Sequence, residues 1–174
     1  MRSFLRDLCH AYPGSVRFNR GGTGVSELNA RLRSSGASGV LVVYQYRGNP
    51  GRIHVIRPAT SPDVHVMIDS GMLRREVCPD CTFRIRGLRS LSVASSASTQ
   101  TRDLATIVSE LARHQLSVSD CRPAPDPQAS GLIDVWFEDL ASGKTLWSHY
   151  HAADGLEMGP RVRVFSLRRQ SQGE

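Results

Sequence analysis

At 174 residues the chain is long enough for one substantial hydrophobic core, since a domain near 150 residues buries roughly 70% of its unfolded surface. A hydrophobic fraction of 40% and a charged fraction of 22% exclude extreme disorder and residence in a membrane. The first eight residues lack the uninterrupted apolar stretch of a secretory signal, and no apolar run approaches the ~18 residues of a membrane-spanning helix. We therefore expect an intracellular protein, cytoplasmic or, in a eukaryotic source, nucleolar, that has no membrane partner.

The net charge of +6 arises from 22 Lys and Arg residues, of which only Lys144 is a lysine. A guanidinium group grips phosphate through two parallel hydrogen bonds and stacks on bases, whereas an ammonium group is a point charge. The alternative explanation of this preference for Arg over Lys is the base composition of the genome or adaptation to heat. Charge alone therefore indicates nucleic acid only weakly.

The first half of the chain predicts two helices and a set of strands. Phe4, Leu5 and Leu8 recur at helical spacing before Pro13, and a second apolar stripe follows Thr23, a candidate cap, and ends near Gly36. The predicted strands are a brief one at 15–18, a buried one at 40–46, its hairpin partner at 53–56 and a third at 64–68. The turn between the hairpin strands is predicted at 48–51, where Gly51 is free to take positive φ.

The second half repeats this order with little identity of residues. A short strand at 91–94 precedes a helix that Thr99 is expected to cap, with the clearest 3.6-residue period in the chain. A Pro-rich linker at 123–127 leads to a hairpin at 132–137 and 146–150, and a last strand includes Val162 and Val164. We therefore predict an α/β (α+β, mixed-sheet) protein of two similar halves, about 1–80 and 81–174, that arose by internal duplication.

Arg residues concentrate at the predicted loops and strand ends. Such density is repulsive unless an anion binds there, as expected of a phosphate-binding surface. The alternative is a solvated loop neutralised by carboxylates such as Asp69, Glu76 and Asp80. The candidate RNA-binding residues are Arg17, Arg20, Arg47, Asn49, Arg52, Arg74, Arg75, Arg84, Arg86, Arg89, Arg161 and Arg163.

Motifs of catalysis do not support an enzyme. The glycine-containing loops at 20–22 and 48–51 fit neither the phosphate-binding loop of nucleotide hydrolases nor a dinucleotide-binding fingerprint. No nucleophile with a base and no carboxylate pair stands out. We expect no catalytic residue, no cofactor and no small-molecule substrate.

Cys78 and Cys81 are the only residues with metal or redox character. A structural zinc site needs four ligands, while Cys9 and Cys121 are solitary. Loop thiols or a structural disulfide, a metal site and a redox site therefore remain open for this pair. We expect no metal site, with Cys78 and Cys81 as weak candidates.

Histidines and tryptophans in the second hairpin allow two further interpretations. His149 and His151 lie two apart on a strand, which favours a solvated polar face over a pair of ligands. Trp136 and Trp147 lie on opposite arms and could pair across the hairpin in the core.

A series of short motifs, in order along nearly the whole chain, resembles the Brix-domain family, in particular its short archaeal, Imp4-like members. The motifs are Phe4-Leu5-Arg6-Asp7-Leu8, Asn19-Arg20-Gly21, Arg47-Gly48-Asn49-Pro50-Gly51, Leu73-Arg74-Arg75-Glu76, Ile85-Arg86-Gly87-Leu88-Arg89-Ser90-Leu91 and Gly159-Pro160-Arg161. The family commonly has an Arg/Lys-rich arm before the first helix, and only Arg2 stands there in this chain.

The resemblance implies a single Brix-like domain over 1–174, with two α/β halves related to the anticodon-binding domain of class II aminoacyl-tRNA synthetases. It implies a non-catalytic ribosome biogenesis factor that acts in pre-rRNA processing and subunit assembly. The expected partners are rRNA or pre-rRNA and other ribosome assembly proteins. The alternative function is a protein-interaction scaffold of an assembly particle that makes no direct contact with RNA.

Overall fold

The structure is a computed structural model that describes residues 2–58 and 62–169. Within these residues it contains four helices and eight strands. The helices are α1 (Arg2–Ala11), α2 (Val25–Ser35), α3 (Arg74–Val77) and α4 (Thr99–Ala112). The strands are β1 (Val40–Tyr46), β2 (Asn49–Ile56), β3 (Val64–Met72), β4 (Gly87–Ala94), β5 (Leu116–Ser119), β6 (Leu132–Asp139), β7 (Thr145–His151) and β8 (Arg161–Arg169).

All eight strands form one mixed sheet in the order β1-β2-β3-β8-β7-β6-β4-β5. Neighbouring strands are antiparallel except for β4, which is parallel to both β5 and β6. The antiparallel triplets β1-β2-β3 and β6-β7-β8 meet where β3 pairs with β8. The predicted mixed α/β fold is confirmed.

The two faces of the sheet bury different helices. Alternation along β1 directs Val42 to one face and Val43 to the other. On the first face, α2 packs Leu28 and Leu32 against Val42 and Ile56 in a small separate core. On the second face, α1 and α4 share one large core with residues of β2, β3, β4, β6, β7 and β8.

The sheet curves strongly around α4. The Ser38 hydroxyl donates to the carbonyl of Leu111 near the C-terminus of α4, and Leu111 lies against Gly39, where no Cβ could fit. This contact is beside β1, yet β5 at the far edge begins only five residues after Leu111. Five residues span at most ~18 Å, whereas eight strands in a flat sheet would span ~34 Å. The sheet therefore wraps around the helix.

The β1–β2 turn differs from the prediction. Arg47 and Gly48 form the turn with φ of 47° and 87°, the left-handed conformation that two-residue hairpin turns require. Asn49 and Pro50 already belong to β2, and Gly51 lies at an irregularity of the ladder rather than in the turn. The turn is thus two residues earlier than the predicted one.

Three short elements depart from the prediction. Residues 15–18 form no strand, and Val16 is 84% exposed. The four-residue elements α3 and β5 were not predicted.

The N-caps of the two long helices differ from the prediction by one residue. Gly24, not Thr23, stands at the N-cap of α2, and Ser98, not Thr99, stands at the N-cap of α4. The predicted C-terminal cap at Gly36 is correct.

The tryptophans are buried as predicted but do not pair with each other. In the β6–β7 register, Trp147 lies opposite Phe137, and Trp136 lies opposite Ser148. Neighbouring positions on one strand point to opposite faces. The two indole rings are therefore on opposite sides of the sheet.

Candidate nucleic-acid interface

The topology brings most of the candidate residues to one end of the sheet. The end of β1 and the start of β2 lie beside the end of β3 and the start of β8, and the starts of β4 and β6 continue the same rim. We call this rim the hairpin end. It carries Arg47 and Asn49 at the β1–β2 turn, Arg52 in β2, Arg74 and Arg75 in α3, Arg84, Arg86 and Arg89 around the start of β4, and Arg161 and Arg163 in β8.

Arg20 joins this end through a tyrosine. Its Nη1 donates to the hydroxyl of Tyr44 at 3.1 Å, and its Nε donates to the carbonyl of Thr23 at 2.7 Å. The guanidinium of Arg52 lies over the Tyr44 ring, 4.1 Å from the centroid. Arg17 is farther along the exposed connection, where Nη1 donates to the carbonyl of Arg2 at 3.2 Å.

Arg74 holds the local structure together. Its Nη2 donates to the carbonyls of Cys81 and Phe83, at 3.2 and 2.7 Å, and its guanidinium lies over the Phe83 ring. Its backbone N–H donates to the buried carboxylate of Asp7 in α1 at 2.9 Å. Gly159 packs so closely on α3 that a Cβ there would lie 3.2 Å from the Cα of Arg74. Three motifs of the sequence therefore meet in one structural joint.

Arg89 and Arg161 are also engaged within the fold. Arg89 forms two hydrogen bonds with Asp134, one of them 2.9 Å from Nε to Oδ1, and the carboxylate is only 3% exposed. Arg161 forms a two-point pair with Glu157. These ion pairs raise the pKa of both guanidinium groups. Arg74, Arg89 and Arg161 thus have structural partners that sequence spacing did not reveal.

Arg75, Arg84, Arg86 and Arg163 are different. All four are exposed, and none forms an ion pair with a carboxylate of the residues that the structure describes. Arg86 is fixed by its backbone, whose N–H donates to the carbonyl of Gly131 at 2.7 Å. Arg75 lines a cleft between α1 and α3 together with Arg6 and His10.

The carboxylates expected to neutralise these arginines have other partners or none. Asp69 pairs with Lys144 at 2.9 Å, and Glu76 accepts the backbone N–H of Leu73 at 2.7 Å. Asp80 is exposed and forms no ion pair within residues 2–58 and 62–169. None of these three carboxylates forms an ion pair with a candidate arginine among the described residues.

A buried hydrogen-bonded chain fastens α1 to this end. Trp147 Nε1 donates to the Tyr12 hydroxyl at 2.9 Å, which lies 3.1 Å from His149 Nε2, and His149 Nδ1 lies 2.6 Å from the Pro160 carbonyl. Because a carbonyl only accepts, Nδ1 carries the proton and Nε2 accepts from Tyr12. Burial lowers the pKa of His149 to about 4 despite the opposing effect of Pro160, and burial raises the pKa of Tyr12. Every polar atom of the three rings is satisfied without charge.

His149 and His151 are therefore not the solvated pair that the sequence favoured. His149 is fully buried, and His151 is 7% exposed with its ring stacked on Phe83 at a centroid distance of 3.9 Å. Asp154 lies 2.9 Å from Nδ1 of His151. Both histidines belong to the core.

Cys78 and Cys81 are joined by a disulfide, with a Cα–Cα distance of 5.4 Å. Of the open interpretations, the structural disulfide is the one observed. Among the residues described, no group of three or more His, Cys, Asp or Glu side chains could hold a metal ion. No helix of the described chain is long and apolar enough to cross a membrane.

Sequence reasoning missed the aromatic residues of this end. Tyr46 was placed in a buried strand, but its side chain is 65% exposed, and Phe18 is 44% exposed. Each ring has a guanidinium over it, that of Arg47 on Tyr46 and that of Arg31 on Phe18. The sequence signal for the exposed ring of Tyr46 was the spacing of Tyr44 and Tyr46, two residues apart, with Arg47 and Arg52 close behind them.

Comparison with known sequences identifies relatives, although no protein-family model matches the chain. A probable Brix domain-containing ribosomal biogenesis protein of Aeropyrum pernix is 29% identical over 168 residues, which cover 94% of this chain and 87% of that protein. The U3 small nucleolar ribonucleoprotein protein IMP4 of Yarrowia lipolytica is 28% identical over 80 residues, which cover 46% of this chain and 28% of that protein.

Solved structures share the fold over nearly the whole chain. The crystal structure of a probable ribosomal biogenesis protein from Aeropyrum pernix matches with a TM-score of 0.63 at 22% identity, covering 95% of this chain and 88% of that one. That of Mil, an archaeal Imp4-like protein, matches with a TM-score of 0.62 at 16% identity, covering 97% and 91%. These comparisons agree with the resemblance that the motifs indicated: over most of its length the chain is similar to a probable Brix domain-containing ribosomal biogenesis protein, and it shares its fold with an archaeal Imp4-like protein.

Proposed function

We propose that the chain is a non-catalytic ribosome assembly factor that binds rRNA or pre-rRNA through the arginines of the hairpin end. The observation that carries the proposal is the set of exposed, unpaired guanidinium groups of Arg75, Arg84 and Arg86, held on the rim by a rigid support. Like charges that have no carboxylate partner among the described residues favour a polyanionic ligand, because phosphate groups offset their mutual repulsion. The names of the relatives, which are ribosome biogenesis proteins, supply the biological setting.

The exposed and the engaged arginines have separate roles in this proposal. Arg47, Arg52, Arg75, Arg84, Arg86 and Arg163 present guanidinium nitrogens to phosphate, and Arg20, whose Nε and Nη1 bind Thr23 and Tyr44, offers its remaining Nη2. Arg74, Arg89 and Arg161 hold the rim in place, and their direct contact with RNA is not part of the proposal. Cytoplasmic RNA, together with other assembly proteins, is the expected partner, and no cofactor is required.

We infer an internal duplication with halves at about 1–80 and 81–174 and a likeness to the synthetase anticodon-binding domain. In support, an antiparallel triplet of strands comes after a helix in each half, β1-β2-β3 after α2 and β6-β7-β8 after α4 and the short β5; β4 has no counterpart in the first half, where residues 15–18 form no strand. Superposition of the two halves on each other should align these triplets in order; alignment only in a different strand order would argue against duplication.

Salt-dependent binding tests the RNA contact. Fluorescence anisotropy with a structured ribosomal RNA transcript should give a log affinity that falls linearly with log salt concentration. Replacing Arg75, Arg84 and Arg86 by Gln should make the slope shallower by about 2 for a single strand, and weaken binding roughly 30- to 100-fold at physiological salt.

A matched control removes the same charge from the other end of the strands. Arg33, Arg113 and Arg168 are exposed there, and their replacement by Gln should change affinity less than about threefold, because distant exposed charges are screened. Equal losses in the two triple variants would show nonspecific attraction to a basic protein. No salt-sensitive binding by the wild type would refute RNA contact.

The alternative function, a scaffold module that binds only proteins, is favoured by the exposed apolar residues Val16 and Phe18. A module of this kind would bind an assembly partner with an affinity indifferent to the Arg75, Arg84 and Arg86 replacements. Loss of partner binding on Val16→Ser with Phe18→Ser, in a protein that does not bind RNA, would establish it in place of the RNA proposal.

A further inference from the structure

We propose that the β1–β2 hairpin is a stacking site for unpaired nucleobases, with the Tyr46 ring as its platform. This inference rests on the proposed RNA contact and narrows the RNA to a single-stranded loop, bulge or end. Its basis is an exposed aromatic ring that extends from a closely packed hairpin among guanidinium groups.

Tyr46 is held in place although its side chain is 65% exposed. It is the last residue of β1 and lies opposite Asn49 in the ladder. A Cβ at Gly51 would lie 2.5 Å from the Cβ of Tyr46, so the β2 backbone passes directly against it. The next residue, Arg47, has a φ of 47°, a conformation that costs free energy for a non-glycine residue and recurs at binding sites.

Guanidinium groups surround the tyrosines on the same side of the hairpin. Tyr44 and Tyr46 are two apart on β1 and so share a face. Tyr44 already has Arg52 at 4.1 Å and Arg20 at 6.0 Å from its ring centroid, whereas among the described residues Tyr46 has only Arg47, at 5.3 Å. The Tyr46 ring therefore retains open surface beside groups that can bind phosphate, the combination that single-strand binders use.

The charge and aromatic content of the segments around the β1–β2 hairpin indicate the kind of partner. Segments 13–26 and 40–56 contain Arg17, Arg20, Arg47 and Arg52 but not one Asp or Glu. A partner with both negative charge and flat aromatic surfaces would be complementary to these arginines and to the exposed ring of Tyr46. Unpaired RNA offers both, whereas an A-form duplex keeps its bases stacked inside and presents sugar and phosphate.

The experiment compares two RNA probes. An unstructured ten-nucleotide RNA carrying one 2-aminopurine and the same strand annealed to its complement are titrated with protein at physiological salt. Tyr46→Leu should weaken single-strand binding about tenfold, since stacking on one aromatic residue changes affinity by ~5- to 150-fold. It should leave duplex binding within twofold and abolish quenching of the 2-aminopurine fluorescence.

Two variants control the result. Tyr46→Phe keeps the ring and should bind both probes like the wild type. Phe165→Leu alters another exposed ring, 45% exposed and in β8, and should leave both affinities unchanged. Thermal unfolding of each variant shows whether it is folded.

The outcomes separate this inference from the proposed function. Salt-sensitive RNA binding with no effect of Tyr46→Leu, or with equal loss on both probes, overturns the stacking site and leaves the RNA contact standing. Absence of binding to any RNA overturns both. Loss of binding to an assembly protein, but not to RNA, on Tyr46→Leu assigns the ring to a protein interface and likewise overturns the stacking site.

Discussion

The hairpin end and the opposite end of the strands use charge differently. At the opposite end, several charged groups have partners: Arg57 pairs with Glu110, Arg169 pairs with Asp103, and Asp139 accepts hydrogen bonds from the start of α4. The arginines there that lack a carboxylate partner among the described residues lie on three different elements: Arg33 in α2, Arg113 at the end of α4 and Arg168 in β8. At the hairpin end, one subset of arginines is matched and another is not. Arg89 forms an ion pair with Asp134, but Arg86, three residues earlier, forms none with a carboxylate of the described residues.

The difference shows that density of arginine along the chain does not identify a binding residue. The same short motif supplies a side chain that fixes the fold and a side chain that is free to bind a ligand. A buried ion pair is costly to break, while an exposed unpaired charge is nearly neutral for stability. Stability and RNA binding should therefore depend on different arginines of the same motif.

The largest expected effect is on stability, from Arg89→Ala. This change leaves the carboxylate of Asp134, 3% exposed, without its charge partner, and breaking a buried pair in this way costs about 3–5 kcal/mol. Urea unfolding should show this loss in the free energy of unfolding. The affinity for RNA of the protein that remains folded should be nearly unchanged.

Arg86→Ala is the matched control within the same motif. Its exposed guanidinium should contribute less than about 0.5 kcal/mol to stability, and its loss should weaken RNA binding by severalfold. If Arg89→Ala were neutral for stability and strongly weakened binding, the assignment of the two residues would be reversed.

The next effect is a dependence of stability on pH that arises at the hairpin end. The pKa of His149 is about 4 in the folded protein, against 6.5 for an ordinary histidine, so the unfolded chain binds a proton first. Stability is therefore complete above about pH 6.5 and falls as the pH drops toward 4, by about 3 kcal/mol in total. Urea midpoints measured between pH 7.5 and 4 test this.

Two variants isolate the contribution of His149. His149→Asn should be less stable at pH 7 because it loses the hydrogen bond with Tyr12, yet it should lack this part of the pH dependence. His10→Asn, at an exposed position on α1, should retain the wild-type profile. An unchanged pH profile for His149→Asn would contradict the assignment.

Long, periodic elements could be predicted from the sequence, and short ones could not. β1 and α4 follow from a continuous apolar run and a 3.6-residue stripe. β5 has four residues and half-exposed ends, and pairing with β4 defines it. α3 has four residues and depends on Asp7, which is 67 positions away from the N–H that it accepts. Contacts this distant leave no local pattern.

The candidate site was predictable as a region but not residue by residue. The sequence motifs identified the arginines as a group, and the directions of the strands place most of them at the hairpin end. The ion pair of Arg89 depends on Asp134, 45 positions later, and the exposure of Tyr46 depends on where the β1–β2 turn begins. His149 illustrates the same limit, since its partners Tyr12 and Pro160 come from distant segments.

The smallest expected effect lies at the opposite end, in the cap of α4. Asp139 accepts from the Ser98 N–H at 2.6 Å, from the Ser98 hydroxyl at 2.9 Å and from the Thr101 hydroxyl. Burial raises its pKa, but these hydrogen bonds outweigh burial and the pKa is lowered. The stabilisation is therefore present above the ordinary carboxyl pKa and is lost at a pH below the range in which His149 titrates.

Asp139→Ala should destabilise the protein by about 1–2 kcal/mol, as loss of a helix cap does, and should speed amide exchange in the first turn of α4. RNA affinity should stay within twofold of the wild type, because this residue is remote from the hairpin end. Asp103→Ala removes the same charge from the exposed pair with Arg169 and should cost less than about 1 kcal/mol. If Asp139→Ala and Asp103→Ala both strengthened RNA binding to the same large extent, RNA affinity would depend on the net charge of the protein alone. The contrast between the two ends would then fail.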